Sequence, residues 1–250
     1  MIEAITFDFW DTLVFDGSDE PKRSALGLPP KPQARLRLLS EEIGRHYPNM
    51  PLDRIAAAFD RANARVREQW LAEHHTVRVP ERLQLAYDEL QLPRTPGFVA
   101  LTHAIETMEV DVPPDFVPGA RVALVELARE YKLGIISDTI HTPGWGLRSL
   151  LEREGLLGYF SCWVFSDEAG VSKPARRVFE LASAGLGAPL HHMVHVGDRE
   201  SNDVAGPQGA GMQAILFTGA VDRDSAKTRA DAVCASMDEL PQVIQRLLQK

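Results

Sequence analysis

The sequence predicts an α/β fold, a Rossmann-like parallel sheet interrupted by an all-helical insertion. Three observations predict it. After residue 118, short apolar runs alternate with segments of helical periodicity. One further apolar run stands alone at the N-terminus, and roughly 90 residues of helical pattern separate it from the rest. The composition, 44% hydrophobic and 25% charged, is that of an ordinary globular chain. Strands alternating with helices form βαβ units, whose parallel sheet is covered on both faces.

Residues 2–7 form the first expected strand, with Ile5 and Phe7 β-prone and Asp8 ending the run. Residues 16–33 read as a linker, punctuated by Gly17, Pro29, Pro30 and Pro32. Residues 34 to about 110 read as helical throughout. Leu36, Leu38, Leu39 and Ile43 lie near helical spacing, and Ile55, Ala58, Phe59 and Ala62 follow i, i+3, i+4, i+7. Pro113 and Pro114 close the insertion, which sets the expected division at 1–16 and 112–250 for the core and 17–111 for the helical part. Helices are then expected over 120–131, 145–155, 174–186 and 200–210. Strands are expected over 133–136, 162–165, 193–196, 214–217 and 232–234. Met237, Leu240, Ile244, Leu247 and Leu248 share one face of a C-terminal helix, with Ser236 and Glu239 spaced as a capping box.

The 250 residues carry 27 Lys and Arg against 35 Asp and Glu, a net charge of −8. That balance argues against a nucleic-acid partner, which needs a basic face, but allows a local pocket for an anionic small molecule. No stretch approaches the roughly 18 apolar residues of a membrane span, so no membrane partner is expected. Met1-Ile2-Glu3-Ala4 lacks the basic segment of a signal peptide, so a cytoplasmic location is expected. Cys162 and Cys234 are too few for a disulfide scaffold or a thiolate metal site. Nothing in the sequence reports an oligomeric state.

Parallel sheets bind ligands at the carboxyl ends of their strands. The first strand ends in Asp8-Phe9-Trp10-Asp11, the second in Ser137-Asp138-Thr139. After the third comes Gly170-Val171-Ser172-Lys173-Pro174, and the fourth ends in Gly197-Asp198, with Asp203 five residues later. One rim thus collects carboxylates, a hydroxyl and an amine. Paired carboxylates with a backbone oxygen make a hard-oxygen site of the kind Mg²⁺ prefers. A serine and a lysine beside it can hold phosphate oxygens. Asp8 could then attack phosphorus, since a carboxylate can form an acyl phosphate.

In order, spacing and strand-end context these motifs resemble the haloacid dehalogenase superfamily of hydrolases, over nearly the whole chain. The resemblance implies Asp8 as nucleophile and Lys173 as its catalytic partner. It implies Phe9, Ser137, Asp138 and Lys173 around the substrate phosphate. It also implies Mg²⁺ held by Asp8, the Trp10 carbonyl and Asp198, with Asp203 behind them orienting water or Lys173. The helical insertion corresponds to a cap domain.

One departure matters. Phosphatases of this superfamily carry a second aspartate two residues after the nucleophile, and here that position is Trp10. Indole neither donates nor takes up a proton usefully, and Asp11 is expected to point elsewhere. Three readings follow. The first is an Mg²⁺-dependent phosphohydrolase of a small metabolite with unusual acid–base catalysis, borrowing a proton donor from the cap or from His141. The second is 2-haloacid dehalogenase or phosphonate-cleaving chemistry. The retained Asp198 argues against the dehalogenase, and only Lys22 and Lys31 are available in the insertion for a phosphonatase Schiff base. The third is a low-turnover anion-binding module. His195 reads as a satisfied strand histidine, and Arg35 and Arg37 as a solvated helix face.

Overall fold

The computed structural model describes residues 1–223 and 225–248. Six parallel strands form one sheet in the order β3-β2-β1-β4-β5-β6. They are β1 (Ala4–Phe7), β2 (Lys132–Ser137), β3 (Phe160–Phe165), β4 (Met193–Gly197), β5 (Gln213–Phe217) and β6 (Ala232–Cys234). All four residues of β1 are buried, because it pairs with β2 on one side and β4 on the other. Connections run one way from β1 to β2 and β3, and the other way through β4 to β6. The order therefore reverses between β1 and β4, and a crevice opens at such a switch point. Asp8 and Asp198 follow those two strands directly.

Between β1 and β2 come α1 (Asp19–Ala25), α2 (Lys31–His46), α3 (Leu52–Glu73), α4 (Val79–Leu90), α5 (Phe98–Glu106), α6 (Met108–Asp111) and α7 (Ala120–Leu127). Leu39, Ile43, Ile55, Ala58, Leu83 and Tyr87 gather into a hydrophobic cluster of their own. It is separate from the cluster beneath the sheet that holds Phe7, Leu124, Leu147 and Ile244. The chain leaves and re-enters the sheet side by side. Val14 bridges Phe116 in antiparallel fashion, and Phe15 N–H donates to Asp115 O at 2.9 Å. Ser172 donates to His74 O through both its N–H (2.7 Å) and its hydroxyl (3.1 Å), tying the α3–α4 turn to the loop that bears Lys173.

The second half contains α8 (Gly144–Arg153), α9 (Ser166–Ala169), α10 (Arg176–Leu186), a π-type turn over Glu200–Ala205, α11 (Gly206–Ala210) and α12 (Leu240–Leu247). Several expectations need correction. The expected linker holds α1, whose Asp19 and Glu20 suit a helix N-terminus, and Pro32 sits in the first turn of α2 where proline is tolerated. The helix expected over 200–210 splits into the π-type turn and the short α11, with Pro207, which has no N–H to donate, in the first turn of α11. In α12 Val243 is buried, while Leu248, just past its end, is 41% exposed. Ser236 caps this end through Asp238 N–H rather than through a box with Glu239. Among the described residues no helix is long and apolar enough to cross a membrane.

Candidate active site

Asp8 N–H donates to Val196 O at 2.9 Å, so the sheet ladder carries Asp8 to the carboxyl edge of β1. Its carboxylate lies 2.7 Å from Lys173 Nζ, which also reaches Asp203 Oδ1 at 2.6 Å. Asp203 is saturated: His195 Nε2 approaches Oδ1 at 3.1 Å, and Arg199 N–H donates to Oδ2 at 2.9 Å. A β-carbon at Gly197 would stand 2.4 Å from Asp203 Cγ, so this close approach requires glycine. His195 is fully buried and bonded at both ring nitrogens, with Thr6 Oγ1 2.9 Å from Nδ1. It is satisfied as expected, yet its partner belongs to the site. Burial favours neutral imidazole, which places the proton on Nε2 facing Asp203 and leaves Nδ1 to accept from Thr6.

Charge is crowded here. Burial pushes Asp8 up despite Lys173, while Lys173 and the His195 hydrogen bond overcome burial to hold Asp203 well below the usual carboxylate range. Lys173, desolvated but flanked by Asp203 and Asp8, is held firmly protonated. Asp198 is pushed up to about 7 by burial and then by the neighbouring Asp8 and Asp203. Asp138 is pushed up to about 6, by burial first and then by Asp8 and Asp203 acting against Lys173. Carboxylate oxygens of Asp8, Asp198 and Asp203 lie within 4.8 Å of one another. Asp203 is occupied by its donors. Asp198 presents a buried Oδ1 with no hydrogen-bond partner, and its Oδ2 is taken by Arg223 Nη1 at 2.5 Å. Excess buried negative charge beside an unpartnered oxygen fits a hard divalent cation.

The other predicted residues divide. Ser137 Oγ is buried and unpartnered, which leaves a hydroxyl at the end of β2 for an oxyanion. Asp138 accepts from Lys173 N–H (3.0 Å) and from Asn202 Nδ2 (3.2 Å), so its side chain braces two loops. Thr139 anchors the same loop to the end of β3 through Ser166 and Asp167. The Phe9 side chain is fully buried against Trp10 and Phe116, so only its main chain can face a substrate. Asp11, at φ +51°, has both carboxylate oxygens engaged, accepting from Asp16 N–H (2.9 Å) and Arg223 Nη2 (2.8 Å).

A cleft of about 270 Å³ opens over Asp8, lined from the sheet side by Trp10, Asp138, Lys173, Arg199 and Asn202 and from the helical side by Lys31, Arg35, Trp70 and Glu109. His141 lines it too, but its Nε2 accepts from Arg82 Nη1 at 2.7 Å. Burial and the cations Arg35, Arg82 and Lys31 hold its pKa well below the usual histidine range. It is therefore neutral at pH 7, which counts against it as the alternative proton donor. Lys31 Nζ pairs with Asp19 and Glu109, each at 2.7 Å. Burial opposes its charge, but the two carboxylates more than offset this, so it is an ammonium and not an amine nucleophile. Arg37 pairs with Glu41 on the surface as expected. Arg35 differs: its Nε is buried without a partner, and among the described residues no carboxylate lies within 4.0 Å of its guanidinium. Arg223, Arg199 and Asn202 carry no motif and are not legible in the sequence.

Among known proteins, the haloacid dehalogenase-like hydrolase family matches residues 2–211. A glyceraldehyde 3-phosphate phosphatase of Pyrococcus abyssi is 30% identical over 219 residues, covering 87% of this chain and 82% of that one. Another of the same description, from Methanothermobacter thermautotrophicus, is 37% identical over 100 residues. That match spans 40% of this chain and less than half, 43%, of the relative. The 2-haloacid dehalogenase from Pseudomonas syringae pv. Tomato DC3000 superposes over 98% of this chain and 99% of its own with a TM-score of 0.64 at 22% identity, which speaks to the fold alone. Taken with the strand order and the motifs at the strand ends, the family match over residues 2–211 means that the chain belongs to the haloacid dehalogenase-like hydrolases.

Proposed function

We propose that the protein is a phosphohydrolase of a small phosphorylated metabolite, working through an aspartyl-phosphate on Asp8. The observation that carries this reading is the unpartnered, buried Asp198 Oδ1 beside Asp8 and Lys173. A dehalogenase gains nothing from that carboxylate, whereas a phosphatase uses it for a cation. Asp8, Asp198 and the Trp10 carbonyl would hold Mg²⁺, which when bound neutralises charge on the transferring phosphoryl group.

The chain's own residues do the rest. Lys173 and Ser137 bind and orient the phosphate oxygens, and Asp203 with His195 keeps Lys173 aimed at Asp8. Asp8 Oδ forms the bond to phosphorus as the ester oxygen leaves, and water then cleaves the acyl phosphate to return the carboxylate and inorganic phosphate. Trp10 supplies no proton to the leaving oxygen, so leaving groups that need none are favoured. Helices α1–α6 act as a cap that excludes bulk water. Arg35, short of a counter-ion within the cleft, favours a substrate with a second anionic group at the cap end. A phosphonate Schiff base is disfavoured because Lys31 is held protonated.

The test is a screen of aryl phosphates, sugar phosphates, bisphosphates, phosphonates and 2-haloacids with and without Mg²⁺, run on wild type and Asp8→Asn. Mg²⁺-dependent phosphate release is expected from wild type, with complete loss in Asp8→Asn and an unchanged thermal midpoint. Metal-independent halide release would replace this reading with the dehalogenase. Full activity in Asp8→Asn would remove the covalent route.

A further inference from the structure

Asp198 presents two oxygens of different fate. Oδ1 is buried and accepts no hydrogen bond, while Oδ2 accepts from Arg223 Nη1 at 2.5 Å. The other limb of the same guanidinium, Nη2, donates to Asp11 Oδ2 at 2.8 Å. Asp11 is itself immobilised: 7% exposed, in the left-handed region at φ +51°, with Oδ1 taking Asp16 N–H. The arginine's fork therefore spans from the turn after β1 to the end of β4, across the switch point of the sheet. Its side chain is 36% exposed, whereas that of Asp198 is 1% exposed. The arginine thus reaches inward from the loop after β5 to a carboxylate that the fold has already buried.

We infer that Arg223 is a positioning residue for the cation site: it fixes Asp198 by engaging Oδ2, so that Oδ1 is the oxygen offered to the metal. The inference rests on the proposed metal-dependent reading. A planar fork suits the task because one guanidinium can hold two carboxylates in set orientations, which a lysine ammonium cannot. A ligating carboxylate left without its outer partner rotates freely, and loss of such partners typically weakens metal binding about 10–100-fold. The opposite role, a cation competing with the metal for Asp198, would make removal of Arg223 strengthen binding.

Isothermal titration of metal-stripped protein with MgCl₂ and with MnCl₂, in the absence of substrate, decides between them. The proteins are wild type, Arg223→Met, Arg223→Lys, Asp11→Asn and Asp198→Asn. Expected are a roughly 10–100-fold weaker Kd in Arg223→Met, partial recovery in Arg223→Lys, a smaller loss in Asp11→Asn and no binding in Asp198→Asn. At saturating Mg²⁺ the KM for phosphate ester should stay near wild type while the Mg²⁺ concentration for half-activation rises in step with Kd. Should Arg223→Met fail to fold, Arg223→Lys carries the test alone, and affinity equal to or tighter than wild type in either variant overturns the inference. Binding lost in Asp198→Asn but unaltered at position 223 would sink only the positioning role. Absence of binding in wild type would remove the metal reading, and this role with it.

Discussion

At the scale of single residues, the exchange of an acid for an indole at position 10 should dominate the chemistry. Trp10 stands beside Asp8 in the cleft, its ring edge-on to Phe9 at 5.2 Å. Nothing in that ring can protonate a departing alkoxide. A positioned general acid contributes about 10²–10⁴ in rate, and most where the leaving group is poor. Trp10→Asp should therefore raise turnover of an alkyl phosphate well above its effect on 4-nitrophenyl phosphate, whose leaving group needs no proton. Steady-state rates on the two esters check this, and equal gains on both would show that position 10 is not where the proton is missing. Several site residues are readable without coordinates, because Asp8, Ser137 and Asp198 end apolar runs and Lys173 lies in the loop after another. Arg223 is not, since the fork joins positions 11, 198 and 223, which only the folded chain brings together. The surroundings of His141 are not legible for a similar reason: burial and the neighbours Arg35 and Arg82, remote in sequence, together suppress its charge.

At the scale of elements, β4 and the turn behind it form one device. The strand delivers His195 and Asp198, and the turn over Glu200–Ala205 folds Asp203 back over Gly197 to reach both Lys173 and His195. Periodicity locates the strand, because a short apolar run bounded by turn residues fits a segment buried on both faces of a parallel sheet. It locates the following helix poorly, because the chain opens as a π-type turn over Glu200–Ala205, whose Asp203 side chain folds back to the site, and only then enters α11. The device depends on the missing side chain at residue 197. Gly197→Ala would place a methyl group 2.4 Å from Asp203 Cγ. Overpacking of this kind costs roughly 1–3 kcal/mol, and here the side chain that must yield is the one aligning Lys173. Urea denaturation should show that loss, and kcat should fall in parallel as Lys173 drifts from Asp8. Unchanged stability together with unchanged kcat would mean that Asp203 has room to move and that its bonds do not steer the lysine.

At the scale of the whole molecule, the cleft is lined from two sides, the sheet and the helical insertion, each with a hydrophobic cluster of its own. In the proposed reading the sheet side handles the phosphoryl group and the helical side meets the remainder of the substrate. The fold and the gathering of Asp8, Ser137, Lys173 and Asp198 are legible in the sequence because strand ends in a parallel sheet share one rim. Specificity is not, because the helical residues match no motif and their charges acquire meaning only from their surroundings. Lys31 and Arg35 illustrate this, one turn apart on α2: the first holds two carboxylates, and the second holds none within 4.0 Å. Burial already lowers the Arg35 pKa, with Glu109, Glu20 and Asp19 only partly restoring it. A guanidinium left in that position is costly until an anion arrives. Arg35→Gln should therefore raise KM for phosphate esters bearing a second phosphate or a carboxylate by roughly 10-fold or more, the value of a charge-assisted hydrogen bond. Small alkyl phosphates without such a group should keep their kcat/KM. Thermal stability of the ligand-free variant should match or exceed wild type, since a desolvated charge that its neighbouring carboxylates only partly offset has been removed. A uniform loss across both substrate classes would instead place Arg35 among the residues that hold the cleft together, and the second anion would drop out of the substrate's description.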